Sequence, residues 1–525
     1  MKLDFGCGGG ATKPDGSYLT IYGYSFSNDG ITYGMCDRTV ALALMNRYLN
    51  CRPGGNAREV QLRNNQRKFV TESRGFLKQI REHLEPHFTT YADKTVEAEV
   101  HHGDPHPKKA LRVAGWLEGL ESGMSSTRTW VGKVNGKLKR AETAKGGAQG
   151  GLKAPRIIVD MGVLASLCGF RITEYFKNGL DGHLFECEGG HMEFCKTPNP
   201  ARLRDVFARL IDPPGRYYFV AFSDDSCYSV RHGGEILMYN LDISKNDVSH
   251  EWTFDALIAA TPKHAQRDMK DLCDQGLAPL RIRSCVDPRR CTTLKPLTRK
   301  MYSGATITTA INSLASFLIA RALALDAAAT PAEIETAAEK VGFLITTDRA
   351  RSYHQLQFLK HSPVFDVAGT LRPIINVGVI LRASGQCKRD LPGRATTPLA
   401  ERARTFQAAL LNGLVPRAHY SLIDAMKRAA RGPITDDAIK RVQHDILDHR
   451  FEGHNEEEEY TVDDDEVFRR YDLTRDEISE LVEVAGKLGY AQCYAGGAVS
   501  KILEKDYGLS SLSDLRSGEL LESQP

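Results

Sequence analysis

The chain has 525 residues, 42% of them hydrophobic and 26% charged, with 12 cysteines and a formal net charge of +3; this is the composition of an ordinary globular protein and excludes a disordered, collagen-like or disulfide-framework chain. The small net charge hides two opposed parts, since residues 456–525 hold 18 acids and 7 bases (net −11) while residues 1–455 hold 62 bases and 48 acids (net +14). A basic body suits attraction to a phosphate backbone, scattered cysteines suit reduced thiols in a cytosolic setting, and with the apolar run Leu314–Leu325 broken by Arg321 neither a signal peptide nor a membrane span is expected.

From the N-terminus, FGCGGGATKPDGS reads as a flexible arm, because its glycines lack the GK[ST] ending of a phosphate-cradling loop. YLTIYGYSF and GITYGM flank Ser27-Asn28-Asp29-Gly30 as the strands of a hairpin would, and Asn65–Leu84 has the pattern of a basic amphipathic helix. HHGDPHP, with His101, His102 and His106, reads as a surface loop, its two prolines giving no metal-ligand regularity. Between Trp130 and Gly162, basic residues that include Lys139, Lys145, Lys153 and Arg156 alternate with short strands and glycines. His183, Cys187, His191 and Cys195 recur every four residues, but Gly189-Gly190 interrupts any helix that would gather them, so a hairpin is favoured over zinc. Ala201–Leu210 reads as a helix that Asp212-Pro213-Pro214-Gly215 stops.

Tyr217 to Phe254 is the centre of the pattern and reads as three strands. YYFVAF runs into the turn Ser223-Asp224-Asp225, SCYSV runs back, and ILMYNL returns to Asp242 after a glycine-bearing link. If that link pairs Val230 with about Ile236, antiparallel counting puts Asp242 opposite Asp224, and the carboxylates meet at one end of a sheet. Carboxylates on strand ends suit Mg²⁺ or Mn²⁺, and two such ions roughly 3.5–4 Å apart can activate a hydroxyl and stabilise a leaving phosphate. Asp224, Asp225 and Asp242 are therefore candidate catalytic and metal-binding residues for phosphoryl transfer, although an isolated Asp-Asp pair is more commonly only a polar turn.

Further on, Thr261–Gln275 reads as helical, and RIRSCVDPRRCTTLKPLTRK concentrates Arg281, Arg283, Arg289, Arg290, Lys295, Arg299 and Lys300. MYSGATITTAINSLASF places Ser303, Gly304, Thr308 and Asn312 in the spacing SGxxxTxxxN, and Glu333–Lys340 is an amphipathic helix. TLRPIINVGVILRAS reads as strands, and Thr397–Leu411 and Tyr420–Arg431 as helices. Glu456–Glu459 with Asp463–Glu466 reads as a solvated linker, and Thr474 with Glu477 as a capping box that starts a short helix.

At DISKND, SGATITTAIN and AFSDD the chain resembles viral RNA-dependent RNA polymerases, whose palm motifs A, B and C these segments look like. The C-like hairpin precedes the A-like strand, an order similar to that of the permuted polymerases of permutotetraviruses and birnaviruses, which usually carry Asn where this chain has Asp225. GFLITTD and LQFLKHSP look like motifs D and E. The resemblance implies an α+β right-hand polymerase of fingers, palm and thumb, with an antiparallel palm sheet and permuted palm connectivity. It divides the chain into an N-terminal arm and fingers (1–129), fingers with a motif F-like basic hairpin (130–216), a palm (217–371, of which 256–300 return to the fingers), a thumb (372–455), and an acidic linker with a helical tail (456–525).

The same resemblance implies roles. Lys153 and Arg156 match the basic pair of motif F over the incoming triphosphate, with Lys139 and Lys145 as further matches, and the cation-rich segment would line the template and nucleotide channel. Asp247 and Asn312 would recognise the ribose 2′-hydroxyl, with Ser303, Gly304 and Thr308 as further nucleotide-binding residues. Arg349, Arg351 and His354 are candidates to protonate pyrophosphate. The expected function is template-directed RNA synthesis for viral genome replication or transcription, by two-metal nucleotidyl transfer from NTPs. Its partners would be RNA template and product and other viral proteins, in host cytoplasm or a virus particle. The alternative is a non-catalytic viral RNA-binding protein with a degenerate palm fold. A second role for the acidic tail, beside that of a linker, is to occupy the basic channel when RNA is absent.

Overall fold

The structure is a computed structural model. It describes residues 19–21, 24–25, 37–45, 48, 55–89, 91, 134–138, 156–161, 163–196, 199–284, 287, 289–384, 386–388, 394, 396–415, 417–430, 432, 434–436, 438–439, 442, 454, 457–487, 492–494 and 496–508.

The helix expected before residue 84 is two helices, α1 (Gly55–Glu72) and α2 (Arg74–Leu84), separated at Ser73. Next come β1 (Val134–Leu138), β2 (Ile157–Asp160), α3 (Val163–Leu180), the hairpin of β3 (Leu184–Cys187) and β4 (Gly190–Phe194), and α4 (Pro200–Ile211). The central meander is β5 (Tyr217–Phe222), β6 (Asp225–His232) and β7 (Glu235–Ile243), followed by the single-turn helix α5 (Asn246–Ser249). After β8 (Leu280–Arg283) and β9 (Cys291–Leu294) the chain forms α6 (Thr308–Leu325), α7 (Pro331–Lys340), β10 (Ile345–Ala350), β11 (His361–Phe365) and β12 (Leu371–Ile375).

Six strands make the main sheet, in the order β10-β7-β6-β5-β4-β3, and every neighbouring pair is antiparallel except β4 with β5. The sheet is buried on both faces, which accounts for strands that read as continuous apolar runs. Tyr217, Phe219, Tyr228, Tyr239 and Leu241 point to the core shared with α6, whereas Tyr218, Val220 and Cys227 pack with Leu203, Val206, Phe207 and Leu210 of α4. Tyr228 and Tyr239 are direct cross-strand partners with stacked rings, and their hydroxyls donate to the carbonyls of Ala328 and Ala329 at 2.8 and 2.6 Å. Buried phenols keep their hydrogen bonds here, so the sheet gains their apolar area without stranding a polar atom.

Helix α6 is apolar on nearly all sides because it is enclosed, with almost every residue from Ala310 to Ala324 buried. Among the described residues it is the one helix long and apolar enough to cross a membrane, and it lies mostly inside the protein. Arg321, the charge that interrupts it, sets its guanidinium over the Phe76 ring at 5.4 Å. A second sheet has the order β9-β8-β1-β2, so the cation-rich stretch after residue 279 pairs, in parallel, with the first strand of the basic segment.

The strands Leu19–Ile21 and Tyr24–Ser25 pair with residues 386–388 and 492–493, and GITYGM, the other strand of the expected hairpin, lies outside the described residues. Two sequence expectations give way. The strand pattern of VGVILRAS is overridden: residues Val377–Ser384 form a helix, α8, because the N–H groups of Val377 and Gly378 find Tyr471 Oη and Asp506 Oδ2, both at 2.9 Å. Finally, the acidic stretch is no solvated linker. Val462, Phe468, Leu481, Val499 and Ile502 share one hydrophobic core with Val364, Ile374, Phe406 and Met426. Some of its acids are used internally: Glu457 pairs with Arg204 at 3.0 Å, and Glu466 bonds Tyr353 and His354, while Glu458, Glu459, Asp463 and Asp465 are exposed. The capping box at Thr474 and Glu477 does form, opening the helix α9 (Arg475–Lys487), and α10 (Gly497–Tyr507) follows.

Candidate active site

The three acids lie at one end of the main sheet, but in a different register from the one expected. Val230 pairs with Leu237, which sets Asp242 directly opposite Asp225, while Asp224 sits one residue further out in the turn. The one-residue shift comes from the far hairpin. Gly233 and Gly234, at φ 59° and 84°, make a two-residue turn closed by His232 and Glu235, where a longer link had been expected. Directly opposed residues of an antiparallel pair share a face, so Asp225 and Asp242 form the close carboxylate pair. Asp224 and Asp242 are exposed and Asp225 is half-buried.

The turn that carries Asp224 is held from below. Ser223, its first central residue, has φ 58°, a conformation that costs a non-glycine residue about 1–3 kcal/mol unless its surroundings fix it. Helix α6 supplies the fixing contacts. The Ser223 N–H donates to Ser313 Oγ at 2.9 Å, its carbonyl accepts from Ser316 Oγ at 3.3 Å, and its Oγ accepts from Asn312 Nδ2 at 3.1 Å. Asn312 Oδ1 in turn accepts from His250 Nε2 at 2.9 Å. The SGxxxTxxxN helix therefore grips the carboxylate turn, although the two are about ninety residues apart in sequence.

Each remaining candidate has a definite place. Asp247 is buried in α5, in the first turn and not at its cap, since the helix begins at Asn246 after Lys245 at φ 50°. Thr308 opens α6 and donates to the Ala305 carbonyl at 2.7 Å, which closes the loop beneath it. Ser303 accepts through its carbonyl from Val159 N–H of β2 at 2.8 Å. Gly304, at φ 102°, lies so near β2 that a Cβ would come within 2.9 Å of the Val159 carbonyl oxygen. Arg156 is exposed immediately before β2. Lys139, Lys145 and Lys153 fall outside the described residues, as does HHGDPHP.

Some expectations are corrected. Arg299 is not a channel cation; it joins Asp255 at 2.9 Å and Asp274 at 2.8 Å and ties two helices together. His354 is buried and bonded to Glu466, and burial lowers its pKa, so it is not poised to protonate pyrophosphate, whereas Arg349 and Arg351 are exposed. Among the described residues no three His, Cys, Asp or Glu side chains converge as a metal site. Cys187 lies in the β3–β4 hairpin and His191 in its second strand, His183 stacks on His83 at 3.8 Å, and burial pushes the Cys195 thiol up to about 12, far from a ligating thiolate. The hairpin itself is an edge of the main sheet.

Sequence reasoning missed Ser223, His250, Ser313 and Ser316. A signal existed for the last two, because in the apolar run of α6 from Ala310 to Ala320 the polar residues are Asn312, Ser313 and Ser316. Buried hydroxyls on a core helix need partners, and these find the turn.

No protein-family model matches the chain, and no curated protein matches it. Among solved structures, the RNA polymerase VP1 from Infectious Pancreatic Necrosis Virus is similar at 12% sequence identity over 56% of this chain and 43% of that one, with a TM-score of 0.38. A structure of the birnavirus VP1-VP3 complex is similar at 12% identity over 56% of this chain and 41% of the other, with a TM-score of 0.35. The chain thus spans less than half the length of either. In this chain the connectivity is a carboxylate hairpin (β5–β6) first, then the strand β7 that carries Asp242, then the helix of the SGxxxTxxxN segment.

Proposed function

We propose that the protein performs template-directed RNA synthesis by nucleotidyl transfer from nucleoside triphosphates. The observation that carries this reading is the direct opposition of Asp225 and Asp242 at a strand end, beside Asp224 in a turn that α6 holds. Oxygen donors of this kind fit Mg²⁺ or Mn²⁺, and although the three side chains do not converge here, the opposed pair Asp225 and Asp242, with Asp224 in the turn beside them, are the residues that would hold two such ions. When bound, the ions would supply stabilisation for the attacking hydroxyl and the leaving pyrophosphate. Asp247 and Asn312 are read as the sugar-recognising pair, and Arg156, with Lys153, as the cations beside the triphosphate. Ser303 and Gly304 shape the loop that joins these two regions, since one end of it is bonded to β2 and the other runs into α6.

The rival reading, a non-catalytic RNA-binding protein with a degenerate palm, draws on the exposure of Asp224 at a hairpin tip, where an acid can serve the turn alone. Primer extension on a defined RNA template with Mg²⁺ or Mn²⁺, wild type beside Asp224→Asn, separates the two. Synthesis that Asp224→Asn abolishes supports the polymerase; RNA binding without synthesis supports the rival.

Two further results are expected of a polymerase. Arg156→Ala should lower kcat/KM for NTPs by about 10- to 100-fold, the worth of a charge-assisted hydrogen bond, while template affinity changes little. Single-nucleotide incorporation over a range of NTP concentrations checks this, and equal activity throughout would reject the role. Asp247→Ala should reduce the preference for NTPs over dNTPs by a comparable factor, because a site built to bond a hydroxyl rejects substrates that lack it. The ratio of kcat/KM for the two substrates is the measurement, and an undiminished ratio removes Asp247 from the sugar site.

A further inference from the structure

We propose that His250 is a positioning residue for sugar selection: it fixes which end of the Asn312 carboxamide faces the nucleotide, and it does so in one hydrogen-bonded line with the carboxylate turn. The inference rests on the polymerase reading, in which Asn312 and Asp247 meet the ribose.

A carboxamide can turn over by half a rotation with no change of shape, exchanging its donor end for its acceptor end. Of the two groups bonded to Asn312, Ser223 Oγ can donate or accept and does not select between the two orientations. His250 does. In the tautomer that carries its proton on Nε2, 2.9 Å from Oδ1, the ring presents an N–H that requires an oxygen, so Nδ2 is directed to Ser223 Oγ at 3.1 Å, and a carboxamide nitrogen has a second N–H to offer.

The orientation matters because a 2′-hydroxyl has one proton. If the Asp247 carboxylate accepts that proton, the second recognising group must donate to the hydroxyl oxygen. An Asn312 turned the other way would present a second acceptor, and one of the two would be left unsatisfied in a buried site. His250 therefore makes the pair complementary, Asp247 accepting and Asn312 donating.

The ring is placed rigidly enough for this task. His250 is 1% exposed, follows directly on α5, and meets the Phe343 ring edge-on at 5.6 Å. The backbone on both sides of it is clamped by one buried side chain of α1: Gln66 Nε2 donates to the Ser249 carbonyl at 3.0 Å, and Gln66 Oε1 accepts from the N–H groups of Glu251 and Trp252 at 3.0 and 2.8 Å. One short segment, α5 and the residue after it, thus supplies both the carboxylate and the group that orients its partner, three residues apart.

The test measures kcat/KM for NTP and dNTP incorporation by the full chain on a primed RNA template, for wild type, His250→Leu and His250→Gln, each also in an Asn312→Ala background. His250→Leu should lower the NTP-over-dNTP ratio about tenfold, through NTP and not dNTP incorporation, while His250→Gln, which can still offer an N–H, should stay within about threefold of wild type. In the Asn312→Ala background His250→Leu should change the ratio no further. An unchanged ratio in His250→Leu, or a loss that persists without Asn312, overturns the proposal. Should His250→Leu not fold, His250→Asn, polar but too short to reach, takes its place and must show the same loss. Failure of the wild type to synthesise RNA at all would instead overturn the polymerase reading, so the two failures are distinguishable.

Discussion

Asp225→Asn and Asp242→Asn should each abolish nucleotide transfer while leaving template binding nearly intact. The two carboxylates are cross-strand partners on one face of the sheet, so each substitution removes half of the negative charge of that pair without changing its shape. Cation-held charge stabilisation of a phosphoryl transition state is worth several kcal/mol, which corresponds to a loss on the order of a thousandfold or more. Asp224→Asn, one residue out in the turn, should act in the same direction. Template grip is expected to survive because the proposed reading assigns it to cations of the second sheet's segment such as Arg283 and Lys295, and its salt dependence counts phosphate contacts, not carboxylates. Primer extension and salt-dependent RNA binding, run side by side on each variant, check both halves. Turnover within about tenfold of wild type in both Asp225→Asn and Asp242→Asn would remove the proposed site.

Much of this site was legible in the sequence because its parts are local. A two-residue turn between apolar strands, a glycine-bearing link and a polar spacing on an apolar helix each leave a mark within a dozen residues. The meander, the shared end of the sheet and α6 follow from those marks. The register did not, since it depends on whether Gly233-Gly234 closes a two-residue turn or sits in a longer link, and one residue of difference exchanges Asp224 for Asp225 opposite Asp242. His250 was missed for another reason: an isolated histidine three residues after Asp247 acquires a role only when α6 arrives, sixty-two residues later, to offer Asn312. The helix Val377–Ser384 was misread because its strand-like composition is overruled by groups more than ninety residues away, Tyr471 and Asp506. A basic pair, by contrast, looks the same in sequence whether or not a triphosphate sits beside it, and the role proposed for Arg156 rests on the motif resemblance alone, although the β2 strand that follows it is bonded to the loop at Ser303.

Replacing Asp506 should unfold the C-terminal part of the protein, which is the reverse of what a regulatory tail would do. Asp506 is 1% exposed and accepts from Asn376 Nδ2 at 3.1 Å, Gly378 N–H at 2.9 Å, Arg470 Nε at 3.1 Å and Tyr471 Oη at 3.0 Å. Arg470 is itself buried, so Asp506→Leu would leave a guanidinium without its counter-charge in a low-dielectric core and strip the first turn of α8 of an acceptor. Breaking a buried pair in this way costs about 3–5 kcal/mol, whereas replacing both partners, as in Asp506→Leu with Arg470→Met, should recover part of that loss. Deleting residues 456–525 should be more damaging still, because it removes Phe468, Leu481, Val499 and Ile502 from the core they share with Phe406 and Met426. Urea unfolding of the full chain is the measurement. A tail that merely screened a basic channel would be removable, with tighter RNA binding and unchanged stability, and an Asp506→Leu protein within about 0.5 kcal/mol of wild type would restore that view.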